Sequence, residues 1–220
     1  MKSIVVLISG RGSNLLAVQQ RLCGDSIQAQ ACARIAAVIS NEPAAAGLGW
    51  ARDQGIDSMA LDHRKFPDRG AFDKALAGEV RAYSPDLVVL AGFMRVLGKD
   101  FVQAFEGRLI NIHPSLLPAF PGLHTHQRAL DAGVRVHGAT VHFVTETLDG
   151  GPIIAQAVVP VFEGDDAQKL AQRVLVQEHR LLPQVVIDFC CGRIWLDRAG
   201  KLQASPQAIR LLIAPGEGAA

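Results

Sequence analysis

The chain has 220 residues, 49% of them apolar, and its 22 lysines and arginines against 21 aspartates and glutamates leave a net charge of +1. That length suits one sizeable α/β domain and is short for two, with enough apolar residues for a large core. Charge so close to balance argues against nucleic acid or an anionic membrane as the main partner.

The opening MKSIVVLISGRGSN has a short apolar run after Lys2 but no small-residue cleavage pattern, and it leads straight into a glycine loop. It reads as a strand over Ser3–Ile8, not as a signal peptide. A helix follows from about Asn14 to Leu22. Ile35–Ile39 is the next apolar run, Ala44–Gln54 a helix, Asp57–Leu61 a short strand, and Phe66–Tyr83 a helix stopped by Ser84-Pro85. Asp86–Ala91 and Arg108–Ile112 are two further strands, apolar almost throughout. Strands that alternate with helices and are continuously apolar signal a sheet covered on both faces. The expected fold is α/β and Rossmann-like, a mostly parallel central sheet with helices on both faces.

The second half changes style. Gly138–Thr145 alternates like a strand and Pro152–Pro160 is extended, so the two fit an antiparallel pair in the C-terminal part. Asp165–Leu182 is the longest helix, with Asp165 or Asp166 as its cap and Pro183 near its end. RIWL and KLQA flank Asp197-Arg198-Ala199-Gly200 as a small hairpin, and PGEGAA reads as a frayed end. The expected organisation is a single domain over 1–190, then a C-terminal hairpin and flexible tail over 191–220. No stretch reaches the roughly 18 apolar residues of a membrane span. Cys23, Cys32, Cys190 and Cys191 form no C-x-x-C pair, and they read as reduced thiols of a cytoplasmic protein with no metal site.

Four places carry candidate chemistry. Gly10-Arg11-Gly12-Ser13-Asn14-Leu15 joins a strand to a helix. Leu15 stands where a dinucleotide fingerprint wants its third glycine, and the Gly-Lys-Ser/Thr ending of a Walker loop is missing. Two readings remain open there: a monophosphate cradle formed by Gly12, Ser13 and Asn14, or a tight turn with Ser or Asn as N-cap. Asn111 and His113 share one face at the end of a buried strand, where open α/β sheets place ligands. An amide there can donate to a developing oxyanion and an imidazole can move a proton, although a locally satisfied strand end is the plainer alternative. Asp149 sits in an Asp-Gly-Gly-Pro loop and is either a turn residue or a carboxylate that orients a histidine. Glu178 falls inside the apolar stripe Ala167, Leu170, Ala171, Val174 and Leu181, either paired with a ligand group or at the stripe's edge in solvent. His124 and His126 lack the spacing of a zinc site and are read as loop residues; His142, like the remaining histidines, is given no metal role.

These pieces coincide with one pattern. VVLISGRGSNL at 5–15, VVLAGFMRVL at 88–97, GRLINIHPSLLPAFPGLHTH at 107–126, HGATVHFVTETLDGGPII at 137–154 and QEH at 177–179 make the sequence resemble the folate-dependent phosphoribosylglycinamide formyltransferases of purine biosynthesis. The resemblance runs from about residue 3 to about residue 190. It implies transfer of a formyl group from 10-formyltetrahydrofolate to the amino group of N1-(5-phosphoribosyl)glycinamide, by direct attack through a tetrahedral intermediate and without a metal. Asn111 would hold the formyl oxygen, His113 would be the general acid/base, and Asp149 would orient His113 and favour its protonated form. Gly12, Ser13 and Asn14 would bind the ribose phosphate and Glu178 the glycinamide amine. Met94, Arg95, Val96 and Leu97, together with Thr145, Glu146, Thr147, Leu148 and Asp149, would hold the folate, with Arg69 on its glutamate end. The implied partners are these small molecules, with the enzyme a cytoplasmic monomer or homodimer. Leu175 departs from the pattern, since some relatives have a glutamine there, and residues 24–32 are longer than in some relatives. The alternative is another enzyme using the same donor, either a deformylase or a formyltransferase with a different amine acceptor.

Overall fold

The computed structural model describes residues 1–24 and 32–215. Seven strands, β1 (Lys2–Ile8), β2 (Ala33–Ser40), β3 (Asp57–Ala60), β4 (Leu87–Leu90), β5 (Leu109–His113), β6 (Val136–Phe143) and β7 (Ile153–Pro160), are joined at one edge by β10 (Leu211–Ile213). Together they form an eight-stranded Rossmann-like sheet in the order β10-β7-β6-β5-β4-β1-β2-β3. Strand β6 alone runs against both of its neighbours, and the remaining pairings are parallel. A two-stranded hairpin, β8 (Ile194–Leu196) with β9 (Leu202–Ala204), stands apart from the sheet.

The continuous apolar strands are explained by what covers each face. Ile4, Val6 and Ile8 of β1 pack with α1 (Ser13–Cys23), α2 (Ala46–Asp53) and α6 (Ala167–Cys190). Val5 and Leu7 point the other way, into a cluster with α3 (Arg69–Ala82) and α4 (Lys99–Ala104) that includes Phe72, Leu76, Phe101 and Phe105. Alternate side chains of one strand therefore enter two cores, which is why no polar face appears in the sequence.

Several expectations change. Helix α6 is capped by Asp166, whose Oδ1 accepts from the Lys169 N–H at 2.7 Å, while Asp165 is engaged by Arg173 at 2.6 and 2.9 Å. That helix runs through Pro183 to Cys190 and does not end at Leu182. Proline gives up one intrahelical N–H bond; burial of Pro183 itself and of Val185, Val186 and Ile187 beyond it holds the helix together. The helix expected from Phe66 begins at Arg69, where Asp68 accepts from the Ala71 N–H at 2.8 Å, and a single 3-10 turn at His63–Lys65 precedes it. Two short helices, α4 and α5 (Thr125–Asp131), were not anticipated.

Part of the supposed tail is sheet: β10 pairs with Gln156–Val158, and Arg210 reaches the Ile154 carbonyl at 2.6 Å. Residues 216–220, and most of the longer connection at 24–32, lie outside the described residues. The expectation of four reduced thiols fails for one pair, since Cys32 and Cys191 are joined in a disulfide with Cα atoms 6.0 Å apart. Their separation of 159 residues hid that pairing from the sequence, because only the fold brings the start of β2 to the end of α6. Among the described residues, no helix is long and apolar enough to cross a membrane.

Candidate active site

Strands β4 and β5 end beside a cleft of about 510 Å³. Strand β5 turns Ile110 and Ile112 into the core that α6 covers. The strand's alternation sends Asn111 and His113 to the other side, where both line the cleft. Asp149 arrives from the loop between β6 and β7, with its own backbone in the left-handed region at φ 51°. Asp149, 36 residues beyond His113 in the chain, thus meets the Asn111/His113 pair in one place.

Their hydrogen bonds fix how the groups are turned. His113 Nε2 lies 3.1 Å from the Phe120 carbonyl oxygen. A carbonyl can only accept, so Nε2 carries a hydrogen, and Nδ1 is left facing Asp149 Oδ2 at 3.6 Å. That oxygen also accepts from the Gly122 N–H at 2.8 Å. His142, buried on β6 and paired across the sheet with Asn111, follows the same logic. Its Nδ1 donates to the Phe143 carbonyl at 2.9 Å, which leaves Nε2 to accept from Asn111 Nδ2 at 3.2 Å. Burial above all holds the His142 pKa below the ordinary histidine value, so the ring stays neutral and fit to accept. The Asn111 amide is thereby oriented with its nitrogen toward His142 and, through its second hydrogen, available to the cleft. Sequence reading gave His142 no role. Strand β6 also carries His137 and Thr140, so only the register that sets His142 across from Asn111 singles it out.

The rest of the cleft divides by polarity. Met94, Arg95, Val96 and Leu97 line one wall, and Thr145, Glu146, Thr147 and Leu148 another. Met94 is 70% exposed, Val96 52% and Leu148 57%, so apolar side chains surround the mouth while the polar groups sit deep. Arg69 is not part of the lining. It stands half-exposed at the start of α3, its Nε 3.7 Å from Asp73 Oδ2, and the same carboxylate oxygen accepts from the Gly98 N–H at 2.7 Å. Burial raises the Asp73 pKa against the pull of that bond and of the nearby arginines.

Gly12, Ser13, Asn14 and Glu178 form a second group outside that lining. Gly12 caps α1 in the left-handed conformation at φ 76°, where a Cβ would come within 3.3 Å of Gly47 Cα, so glycine is required there. Neither Ser13 nor Asn14 caps the helix, which overturns the N-cap alternative for this turn. Asn14 points inward instead, donating to Glu178 Oε2 at 2.7 Å, and its Oδ1 is buried without a partner among the described residues. Glu178 is 8% exposed, so it is no stripe edge, and burial raises its pKa despite the bond from Asn14. Ser9 ties the end of β1 to the cleft wall: its N–H donates to the Gly92 carbonyl and its hydroxyl accepts from the Met94 N–H at 2.8 Å.

His124 and His126 line the cleft. His126 packs edge-on against His137, with ring centroids 5.4 Å apart. Burial, with repulsion from His126 and His113, pushes the His137 pKa down to about 4. Among the described residues, no cluster of histidine, cysteine and carboxylate groups has the arrangement of a metal site.

A doubly covered α/β sheet with an amide, an imidazole and a carboxylate at its strand ends is an arrangement suited to acyl transfer, and the chain belongs to the formyl transferase family, whose model matches residues 2–186. It is 49% identical over 202 residues to the phosphoribosylglycinamide formyltransferase of Escherichia coli strain K12, covering 89% of this chain and 93% of that one. The Bacillus subtilis phosphoribosylglycinamide formyltransferase is 39% identical over 186 residues, covering 84% and 93%. Among solved structures, glycinamide ribonucleotide transformylase 1 from Symbiobacterium toebii superposes with a TM-score of 0.85 at 46% identity, covering 93% of this chain and 94% of that one.

Proposed function

We propose that the protein transfers the formyl group of 10-formyltetrahydrofolate to the amino group of N1-(5-phosphoribosyl)glycinamide, giving the formylated ribonucleotide and tetrahydrofolate. The observation that carries this reading is the convergence of Asn111, His113 and Asp149 at the deep end of an apolar-mouthed cleft. A flat heterocycle with a polar edge fits such a cleft, and the folate supplies the activated one-carbon unit when bound.

Each side chain then has a task. The Asn111 amide, turned by His142, donates to the formyl oxygen as that oxygen gains charge. His113 carries a proton between the attacking amine and the departing nitrogen. Asp149 holds the His113 ring and balances its charge when both ring nitrogens are protonated. The backbone N–H groups of Gly12, Ser13 and Asn14 at the start of α1 receive the phosphate. Glu178 meets the glycinamide amine, and a buried carboxylate whose one hydrogen-bond partner among the described residues is Asn14 gains most from that contact. Residues 94–97 and 145–149 bracket the folate, with Arg69 toward its glutamate carboxylates. No covalent enzyme intermediate is required, since alignment of amine and formyl carbon does much of the work. The proposal includes a cytoplasmic setting, where phosphorylated substrate and reduced folate are met, and action as a monomer or homodimer.

A spectrophotometric transfer assay with 10-formyltetrahydrofolate tests it, run with and without the ribonucleotide. Turnover only with the ribonucleotide supports the proposal. Tetrahydrofolate release without it would identify a deformylase, and silence in both arms would overturn the assignment.

A further inference from the structure

The loop that presents Asp149 is held at two points. At its inner end, the Gly122 N–H donates to Asp149 Oδ2 at 2.8 Å. At its outer end, Glu146 Oε1 accepts from Gln103 Nε2 at 3.0 Å and lies 3.5 Å from Lys99 Nζ. Between these points the bonds stay within the loop: the Thr145 hydroxyl and the Gly150 N–H both donate to the Thr147 carbonyl, at 3.4 and 3.1 Å. Among the described residues, Glu146 is the one side chain of the stretch 145–148 that bonds outside the loop.

The partner surface is built to hold still. Lys99 and Gln103 are four apart on α4 and so share a face. On its other side that helix buries Phe101 and Val102, and Phe105 just beyond its end is buried too. Gly98, its N-cap, donates its N–H to the buried Asp73 carboxylate. The helix is thus fixed to the α3 core while its two polar side chains reach the loop. Asp149 has a left-handed backbone, a conformation uncommon for a residue with a Cβ but one that aspartate tolerates better than most.

We propose that Lys99, Gln103 and Glu146 form a latch that holds the 145–149 loop across the mouth of the cleft, making them positioning residues for the transfer through Asp149. The inference rests on the reading of the cleft given above. The latch closes one edge of the site with a charge contact between half-exposed groups, so it weakens as salt rises.

The test has two independent readouts. In the free protein, backbone hydrogen exchange at 147–150 should speed up roughly 3- to 10-fold in Glu146→Ala and in the double variant Lys99→Ala/Gln103→Ala, as expected when a local contact of modest strength is lost. In the transfer assay, kcat/KM for the folate should fall by a similar factor, about 3- to 10-fold, and Lys99→Ala combined with Glu146→Ala should cost no more than Glu146→Ala alone. Glu146→Gln, which keeps the Gln103 bond and loses the charge, should lie between and lose the salt dependence of the wild type. A merely structural role would leave that salt dependence in place. Unchanged exchange at 147–150, or additive effects of Lys99→Ala and Glu146→Ala, would overturn the latch. Wild-type protein without transfer activity would instead overturn the proposed function, and exchange would still report on the latch.

Discussion

Acid should destabilise this fold through His137. Its ring is fully buried on β6, edge-on to Phe120 at 5.9 Å and to His126 at 5.4 Å. Burial is the largest cause of a pKa moved from 6.5 to about 4, and the neighbouring His126 and His113 push the same way. The unfolded chain therefore takes up a proton well before the folded one does. Stability from the neutral ring is complete above the unfolded value of about 6.5, declines as pH falls through the window, and is gone below about 4. The shift of roughly 2.5 units is worth about 3 kcal/mol over the whole window, of which about 2.5 kcal/mol is lost between about pH 7 and about pH 4.5. Urea unfolding followed by Trp50 and Trp195 fluorescence, on the wild type and on His137→Leu, isolates this contribution because the other titrating groups are common to both. The stability difference should move by about 2.5 kcal/mol in favour of the variant between those two pH values. Parallel pH profiles for the two proteins would refute the reasoning.

Other outcomes follow from the site. His113→Ala and Asp149→Ala should each lower turnover by about 10²- to 10⁴-fold while the protein still unfolds in one cooperative transition, as measured by the transfer assay beside thermal denaturation. Glu178→Gln should raise stability near neutral pH by about 1 kcal/mol, since it keeps the Asn14 bond and removes a buried charge. The raised carboxyl pKa means that the wild type gains stability as pH falls through the folded value; the variant should lack that gain and should need more ribonucleotide for half-maximal rate. Gly151→Ala should cost about 3 kcal/mol or more in chemical denaturation, because a Cβ there would collide with the Phe143 carbonyl oxygen, backbone that cannot step aside.

What could be read from the sequence was whatever local pattern determines. Strands β1, β2, β4 and β5 were legible because each buries both faces over most of its length, and Asn111 and His113 because they interrupt such a strand at its end. Glu178 was conspicuous on an apolar stripe, but its partner Asn14 lies 164 residues away and no local rule points to it. Helices α4 and α5 have six and seven residues, too short for a period to emerge. Strand β10 has three residues and owes its place to β7 and to Arg210. The end of α6 was misjudged because proline is a local signal, whereas the packing of Val185 and Val186 that overrides it is tertiary.

The Cys32–Cys191 bond also gives the chain an unusual connectivity. The backbone between those residues is a closed covalent circle, running from β2 through α6 and carrying Asn111, His113, Asp149 and Glu178 on its perimeter. Strand β1 and the Gly12–Asn14 turn are a branch leaving the circle at one point, and the stretch from β8 to β10 is a second branch leaving beside it. Both branches fold back onto the circle, the first against β2, β4 and α6 and the second against β7. A single backbone cut anywhere on the perimeter, for instance at the Gly133 turn, would leave one connected molecule with its ends displaced, a naturally stapled template for circular rearrangement.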